Sequence, residues 1–154
     1  MFLIFGATGF IGSALQSALI ARRTPFLGFG SKVCVRSDGT TVAQLDNYAI
    51  ENRAALLQSS SPPQAIIFAA GTAMTGTDAG VLQVSHFGSL LKAVDDLPAS
   101  WWKDLPFIYT SSCTVYERSL WQRPLLASDP VALNSAYAEV KLRCERFVSE
   151  TIAS

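Results

Sequence analysis

The chain has 154 residues, of which 49% are hydrophobic and 16% charged, a composition typical of a globular protein and not of a disordered one. Twelve basic and twelve acidic side chains balance, so charge gives no reason to expect nucleic acid or an anionic membrane as partner. Three scattered cysteines argue against a structural metal site and favour reduced thiols, hence a cytoplasmic location. The length fits a single domain, residues 1–154.

The amino-terminal segment is predicted to form a strand, a glycine-rich turn and a helix. Phe2–Phe5 is a short apolar run that ends at a glycine, which predicts a buried strand. A helical pattern then runs from Phe10 to Ala21, and two arginines follow it. The first 21 residues carry no charge, but three glycines and several polar residues interrupt them. We therefore expect neither a signal peptide nor a membrane span.

The remaining elements continue an alternation of strands and helices. In order they are a strand at 25–30, a third strand after a turn at Asp38–Gly39, a helix at 47–60, a strand at 65–71, a helix at 82–97, a strand at 106–116 and a helix that begins near Asn134 or Ser135. This alternation predicts an α/β fold, a Rossmann-type doubly wound parallel sheet in three α/β/α layers. Right-handed crossovers make 3-2-1-4-5 the expected strand order.

Three glycines, Gly6, Gly9 and Gly12, lie between the first strand and the first helix. A tight turn needs conformational freedom at the first, a phosphate can approach the backbone at the second, and the third lets helix and strand pack closely. The amino terminus of the helix then offers N–H groups to a pyrophosphate. The motif predicts a dinucleotide site, and a turn shaped by packing alone is the alternative.

The end of the second strand bears on the choice between NAD and NADP. A carboxylate for the ribose 2′-hydroxyl is usual there, but this chain has Ser31 and Lys32, which favours NADP over NAD. The alternative for Lys32 is a solvated loop charge. Asp46, after the third strand, could reach the adenine or could cap the next helix.

Tyr137 and Lys141 are one turn apart on the last predicted helix and share a face. A lysine beside a tyrosine favours the phenolate and is expected to lower the tyrosine pKa, so that Tyr137 can act as general acid or base. Such a pair is common on surface helices. The upstream "TSSC", whose serine could bind the same substrate oxygen, strengthens the functional interpretation.

Taken together, these segments resemble the extended short-chain dehydrogenase/reductase family of nucleotide-sugar epimerases, dehydratases and reductases. "GATGFIG" matches the glycine motif of that family, and "FAAG" resembles its fourth-strand motif beside the cofactor ribose. "YTSSCTVYE" is similar to its SS-x-x-VYG strand end, and "YAEVKLRCE" to its YGxSKxxxE helix. The resemblance covers essentially the whole chain, with these motifs in the right order.

The resemblance implies a set of site residues and no metal. The catalytic ones are Tyr137, Lys141 and Ser112, which precedes Tyr137 by 25 residues, a spacing typical of the family. The cofactor-binding ones are Gly6, Thr8, Gly9, Phe10, Ile11, Gly12, Ser31, Lys32, Asp46, Asn47, Ala69, Ala70, Gly71, Ser85 and Thr110.

Several positions depart from the family pattern and indicate a divergent member. Glu117 replaces the glycine of VYG, and Val140 replaces the serine of YGxSK. Ser85 stands where the fourth helix usually has an asparagine, and Asp129 lies slightly late for the acid of the loop before the tyrosine. His86, the only histidine, has no metal partner in the sequence and is interpreted as a packing or surface residue.

The resemblance implies an NAD(P)-dependent oxidoreductase, epimerase or dehydratase that acts on a nucleotide sugar through a keto intermediate. It also implies a homodimer formed through the fourth helix and the YxxxK helix. Family members continue into further strands and a smaller carboxyl-terminal substrate domain. We therefore expect a fragment, or a gene product that ends early, with the cofactor and catalytic residues only. The alternative is a dinucleotide-binding or interaction module without turnover.

Overall fold

The computed structural model describes residues 1–30, 57, 61–72 and 76–152, together with the backbone of 33–36 and 41–44. Within this part, six strands form one sheet in the order β4-β3-β2-β1-β5-β6. The strands are β1 (Phe2–Phe5), β2 (Phe26–Phe29), β3 (Val33–Arg36), β4 (Thr41–Gln44), β5 (Ala65–Phe68) and β6 (Phe107–Tyr109). β2, β1, β5 and β6 are parallel, which confirms the Rossmann-type core.

The expectation of a wholly parallel sheet of five strands is wrong at one edge. β3 runs antiparallel to β2, and β4 antiparallel to β3. Only residues 30–32 separate β2 from β3, whereas a parallel crossover needs about a dozen residues or more. The other strands follow the predicted order, with β3 inserted next to β2. The turn predicted at Asp38–Gly39 lies outside the described residues.

Helices flank the sheet on both faces. They are α1 (Phe10–Ala21), α2 (Ala79–Gln83), α3 (Ser89–Asp96), α4 (Ala99–Asp104) and α5 (Ala136–Phe147). α1 has the predicted bounds, and Ser135 caps α5 as expected. The helix predicted at 82–97 is interrupted by a π-helical turn, Val84–Gly88, which joins α2 to α3. The helix predicted at 47–60 lies outside the described residues except for Leu57, which is helical and buried.

Alternating strand residues build one core on each face of the sheet. Leu3 and Phe5 of β1 pack in the larger core, with Leu90 of α3 and Cys144 of α5. Ile4 points the other way, into a smaller core against α1. Burial of each large apolar side chain contributes about 1.5–3 kcal/mol. Both faces of the parallel strands are thus covered, as the continuous apolar runs of β1 and β5 require.

The last strand is shorter than predicted. β6 ends at Tyr109, and the chain turns through a 3₁₀ turn at Cys113–Val115. The Ser112 hydroxyl accepts a hydrogen bond from the Thr114 backbone N–H, so that this side chain caps a turn instead of extending a strand. No helix among the described residues is both long and apolar enough to cross a membrane.

Candidate active site

The glycine turn after β1 joins the carboxyl ends of three strands. Gly6 has φ +82°, and a Cβ there would lie 2.6 Å from the backbone carbonyl of Ala69 and from the Ala70 nitrogen. The backbone N–H groups of Gly6 and Ala7 donate to the Phe29 carbonyl at 2.8 and 2.9 Å. Only a residue without a side chain fits this approach, so the first glycine of the motif is required sterically.

The amino terminus of α1 follows directly and presents an uncapped helix end. No side chain caps Gly9, and the first turn carries no acidic residue. Gly12 is buried against the backbone of Gly6. Phe10, 94% exposed, and Ile11 lie at the surface beside this helix end. A backbone notch beside a partly positive helix end fits the pyrophosphate of a dinucleotide.

The "FAAG" segment lies next to this turn. The Ala69 N–H donates to the Phe5 carbonyl at 2.8 Å, which continues the β1–β5 ladder one residue past the strand. Thr8 lies on the opposite side of the turn, since a Cβ on Gly30 would meet its side chain at 2.5 Å. The structure therefore brings together the glycine motif and the end of β5.

A second cluster forms around Tyr137 in the first turn of α5. Ser135 starts the helix by accepting a hydrogen bond from the Ala138 N–H at 3.1 Å. Burial raises the pKa of Tyr137, and a hydrogen bond with the Ser112 side chain opposes that rise. The raised pKa differs from the sequence-based expectation that Lys141 would lower it. Removal of the phenol from water is the larger effect in this structure.

Lys141 is a buried cation with few partners. Its side chain is 4% exposed, and Nζ donates to the Thr110 carbonyl oxygen at 3.0 Å. Nζ also lies 5.0 Å from the ring centroid of Tyr109 and 5.7 Å from that of Tyr137. Burial lowers the pKa of Lys141, while nearby Cys144 and Glu145 oppose the change. One carbonyl and two aromatic rings thus fix the ammonium beside the tyrosine.

His86 is the residue that sequence reasoning left out of the site. It lies on the π-helical turn, is 2% exposed, and its ring centroid is 5.5 Å from that of Tyr137. Its predicted packing role is confirmed, but the contact with the proposed catalytic tyrosine was not foreseen. The position directly after Ser85, in the fourth-helix motif, was the available signal. The Ser85 hydroxyl itself donates to the Leu82 carbonyl of its own helix at 3.4 Å.

Asp129, the late acid of the loop before α5, has a structural partner. Its carboxylate pairs with the Arg123 guanidinium through contacts of 2.7 and 2.9 Å and accepts the Leu126 N–H at 2.8 Å. These hydrogen bonds lower the pKa of Asp129. The acid therefore closes its own loop, and no contact with Tyr137 is among its hydrogen bonds.

Four predicted cofactor-binding residues, Ser31, Lys32, Asp46 and Asn47, lie outside the described residues. Their roles, and the preference for NADP that rests on Lys32, stay predictions. Across the described part of the chain, no group of three or more His, Cys, Asp or Glu side chains could hold a metal ion.

The parallel core, the glycine turn after β1 and the helix behind it define a Rossmann-type fold. The family profile of the NAD dependent epimerase/dehydratase family matches residues 2–154, and the chain therefore belongs to this family. Among curated proteins no significant match is found.

Solved structures share the fold of this chain. The UDP-glucose 4-epimerase of Brucella ovis, in complex with NAD, has a TM-score of 0.77 at 18% identity and matches 99% of this chain and 48% of its own. RMD of Pseudomonas aeruginosa, complexed with NADPH, has a TM-score of 0.65 at 21% identity, over 97% and 50%. The dTDP-4-dehydrorhamnose reductase of Bacillus anthracis, in complex with NADP, has a TM-score of 0.66 at 24% identity and matches 97% of this chain and 49% of its own. The chain thus spans about half the length of these structures.

Proposed function

We propose that this chain carries the cofactor-binding and proton-transferring part of an NAD(P)-dependent epimerase, dehydratase or reductase. The observation that carries the proposal is the convergence of Ser112, Tyr137 and Lys141 at the carboxyl end of the parallel sheet, on the same sheet edge as the glycine turn. In open α/β sheets, ligands bind at this edge.

Each of the three side chains has a proposed role. Tyr137 donates or accepts the proton of a carbonyl/alcohol pair, and Ser112, which lies beside the phenol, holds the substrate oxygen. Lys141 orients the nicotinamide ribose and stabilises negative charge on Tyr137. The glycine turn and the uncapped end of α1 would hold the pyrophosphate, with Thr110 and the Ala69–Gly71 segment nearby. A bound nicotinamide dinucleotide would supply or accept the hydride.

The substrate class is proposed as a nucleotide sugar. Two of the similar structures are named for a UDP-sugar or a dTDP-sugar, and the first is an epimerase, a kind of enzyme that the family description names. A reaction through a keto intermediate is consistent with a tyrosine that can both accept and donate a proton. The cytoplasmic location expected from the scattered cysteines stays a prediction.

Turnover of UDP- and dTDP-sugars in the presence of NAD or NADP tests the function. Tyr137→Phe should reduce turnover by about 10²–10⁴, the contribution typical of general acid–base catalysis, without loss of cofactor affinity. Tyr116→Phe is the matched control and should keep full turnover. Unchanged turnover in Tyr137→Phe would refute the mechanism. Cofactor binding with no turnover on any sugar would instead support a binding or interaction module.

The preference for NADP is a finer proposal that rests on Lys32. A charge-assisted contact with the 2′-phosphate contributes roughly 1.5–3 kcal/mol, or about tenfold to a hundredfold in affinity. Calorimetric titration of NADP and NAD should therefore show tighter binding of NADP, and Lys32→Ala should remove the difference. Equal affinity in the unmodified chain would eliminate Lys32 as a selector.

A homodimer through the fourth helix and the YxxxK helix is also proposed, which here means the α2–α3 helix and α5. An open groove of about 420 Å³ lies between them and is lined in part by Phe87, Leu142 and Phe147. The Arg143 guanidinium lies 4.0 Å from the Phe87 ring centroid and closes one wall. Sedimentation should show a dimer that Arg146→Glu, inside the groove, weakens and that Arg22→Glu, at the end of α1, leaves intact.

A further inference from the structure

His86 is the only imidazole of the chain, and it packs on the proposed proton-transfer residue. The ring planes of His86 and Tyr137 meet at 76° with centroids 5.5 Å apart, an edge-to-face contact. Because His86 is 2% exposed, its ring excludes water from the side of Tyr137 that it covers.

The surroundings of His86 determine which nitrogen carries the proton. Nε2 lies 2.6 Å from the Thr72 carbonyl oxygen, which can only accept, so Nε2 is the donor. Nδ1 is buried and has no hydrogen-bond partner among the described residues, as fits an unprotonated nitrogen. A Cβ on Gly71, whose φ is +126°, would overlap Nδ1. The imidazole therefore sits in a slot formed by Gly71, Thr72 and Tyr137, and the slot exists only because residue 71 lacks a side chain.

Burial and the nearby charge of Lys141 disfavour the protonated form of the imidazole. Burial is the largest effect that lowers the pKa of His86, and the positive charge of Lys141 lowers it further. The hydrogen bond to the Thr72 carbonyl opposes both. Among the described residues, Tyr137 of α5 is in ring contact with His86, Lys141 of α5 acts on it through charge, and the Thr72 carbonyl is its polar partner from the segment after β5.

We propose that His86 is a positioning residue for Tyr137: as a neutral imidazole protonated on Nε2, it holds the phenol ring in one orientation and keeps water from one side of it. The proposal rests on the proposed role of Tyr137 in proton transfer. It adds a residue that acts through Tyr137 and need not touch substrate or cofactor.

Magnetic resonance of the chain labelled with ¹⁵N-histidine tests the tautomer directly, because a single histidine gives a single pair of ring signals. At neutral pH we expect a protonated Nε2 and a bare Nδ1, and no charged imidazolium until the pH falls below the ordinary range of histidine. The opposite tautomer, or a charged ring at neutral pH, would overturn the proposal.

Substitutions at His86 test the effect on Tyr137. His86→Gln can still donate to the Thr72 carbonyl but lacks the ring, whereas His86→Phe keeps a ring without either nitrogen. The readout is the ¹⁹F signal of Tyr137 in chain grown with 3-fluorotyrosine, assigned by its loss in Tyr137→Phe. His86→Gln should shift this signal and lower its titration midpoint, because water reaches the phenol. His86→Phe keeps a ring against the phenol, so the position and the midpoint of the signal should stay close to those of the unmodified chain.

Leu19→Ala is the matched control for a general loss of stability. Leu19 packs in the small core on the other face of the sheet, so its truncation should lower the melting temperature without moving the Tyr137 midpoint. If His86→Gln also leaves the Tyr137 signal and midpoint unchanged, His86 is not a positioning residue. None of these readouts needs cofactor or turnover. If the unmodified chain lacks turnover but His86→Gln shifts the Tyr137 signal, only the proposed function is contradicted. If the chain is active and His86→Gln causes no shift, only the role of His86 is contradicted.

Discussion

The glycine turn and the Tyr137 cluster, which comprises Ser112, Tyr137, Lys141 and His86, lie at the same end of the sheet but differ in what shapes them. The turn is made of consecutive residues, and its shape depends on atoms that are absent, since a Cβ on Gly6 would strike the Ala69 backbone at 2.6 Å. The Tyr137 cluster is made of side chains from distant segments, and its properties depend on burial and charge. The first region is therefore sensitive to added volume, and the second to lost polar or aromatic groups.

The strongest expected effect is at the turn. Gly6→Ala should lower the free energy of unfolding by roughly 2–4 kcal/mol, because it combines an unfavourable φ with a backbone clash, and it should abolish dinucleotide binding. Gly76→Ala is the matched control: Gly76 has φ +78°, close to the +82° of Gly6, but no atom of the other described residues lies within 4 Å of its Cβ position. It should cost only about 1 kcal/mol and keep binding. Similar losses in both variants, measured by urea unfolding, would show that steric approach is unimportant.

In the Tyr137 cluster, Lys141→Met should change the stability little but reduce the activity strongly. The buried ammonium is costly to desolvate, so its replacement by an apolar chain should change the free energy of unfolding by less than about 1 kcal/mol, the lost Thr110 contact included. Turnover should nevertheless fall at least about 100-fold, since the proton-transfer group loses its cation. Denaturant unfolding and steady-state assays of the same preparation check both. A parallel loss of stability and activity would mean that Lys141 is chiefly structural.

The pH dependence of stability sharpens the same distinction. The pKa of His86 is lowered in the folded chain, so below pH ~6.5 the unfolded chain binds a proton that the folded chain does not. Above that pH the lowered pKa has no effect on the free energy of unfolding. As the pH falls below it, the free energy of unfolding decreases by up to about 1.4 kcal/mol per pH unit until the folded pKa is reached. Urea unfolding at pH 7.5 and 5.5 should show a smaller drop for His86→Phe than for the unmodified chain. An equal drop in both would assign the acid sensitivity to the carboxylates.

The smallest effect is expected away from both regions, in the loop that Asp129 closes. Asp129→Asn removes the ion pair with Arg123 but keeps an oxygen that can accept the Leu126 N–H. The melting temperature should stay unchanged because the pair is exposed at the Arg123 side. Hydrogen exchange at the Leu126 amide should accelerate, and more so in Asp129→Ala. Altered hydrogen exchange at the Tyr137 amide would show that the loop and the Tyr137 cluster are coupled.

Local patterns in the sequence were sufficient for the first region. The apolar run Phe2–Phe5, the glycines and the helix Phe10–Ala21 are contiguous, and their steric requirements act within a dozen residues. The start of α5 was equally readable, because the Ser135 cap is a local hydrogen bond. Predictions failed where a short connection or a side chain overrode propensity. Residues 30–32 are too few for a parallel crossover to β3, and Ser112 turns the chain after β6.

By itself, the sequence determined the Rossmann-type core, because apolar periodicity and glycine spacing are properties of neighbouring residues. The Ser–Tyr–Lys set was predicted from the helical spacing of Tyr137 and Lys141 and from the family resemblance that adds Ser112, and its catalytic role stays a prediction. Only the tertiary structure decided the environment of Tyr137. The raised pKa of the phenol, the burial of Lys141 between two rings and the contact with His86 depend on segments that are distant in the chain. Desolvation and charge act through space, so their balance at a side chain is set only once the sheet has brought those segments together.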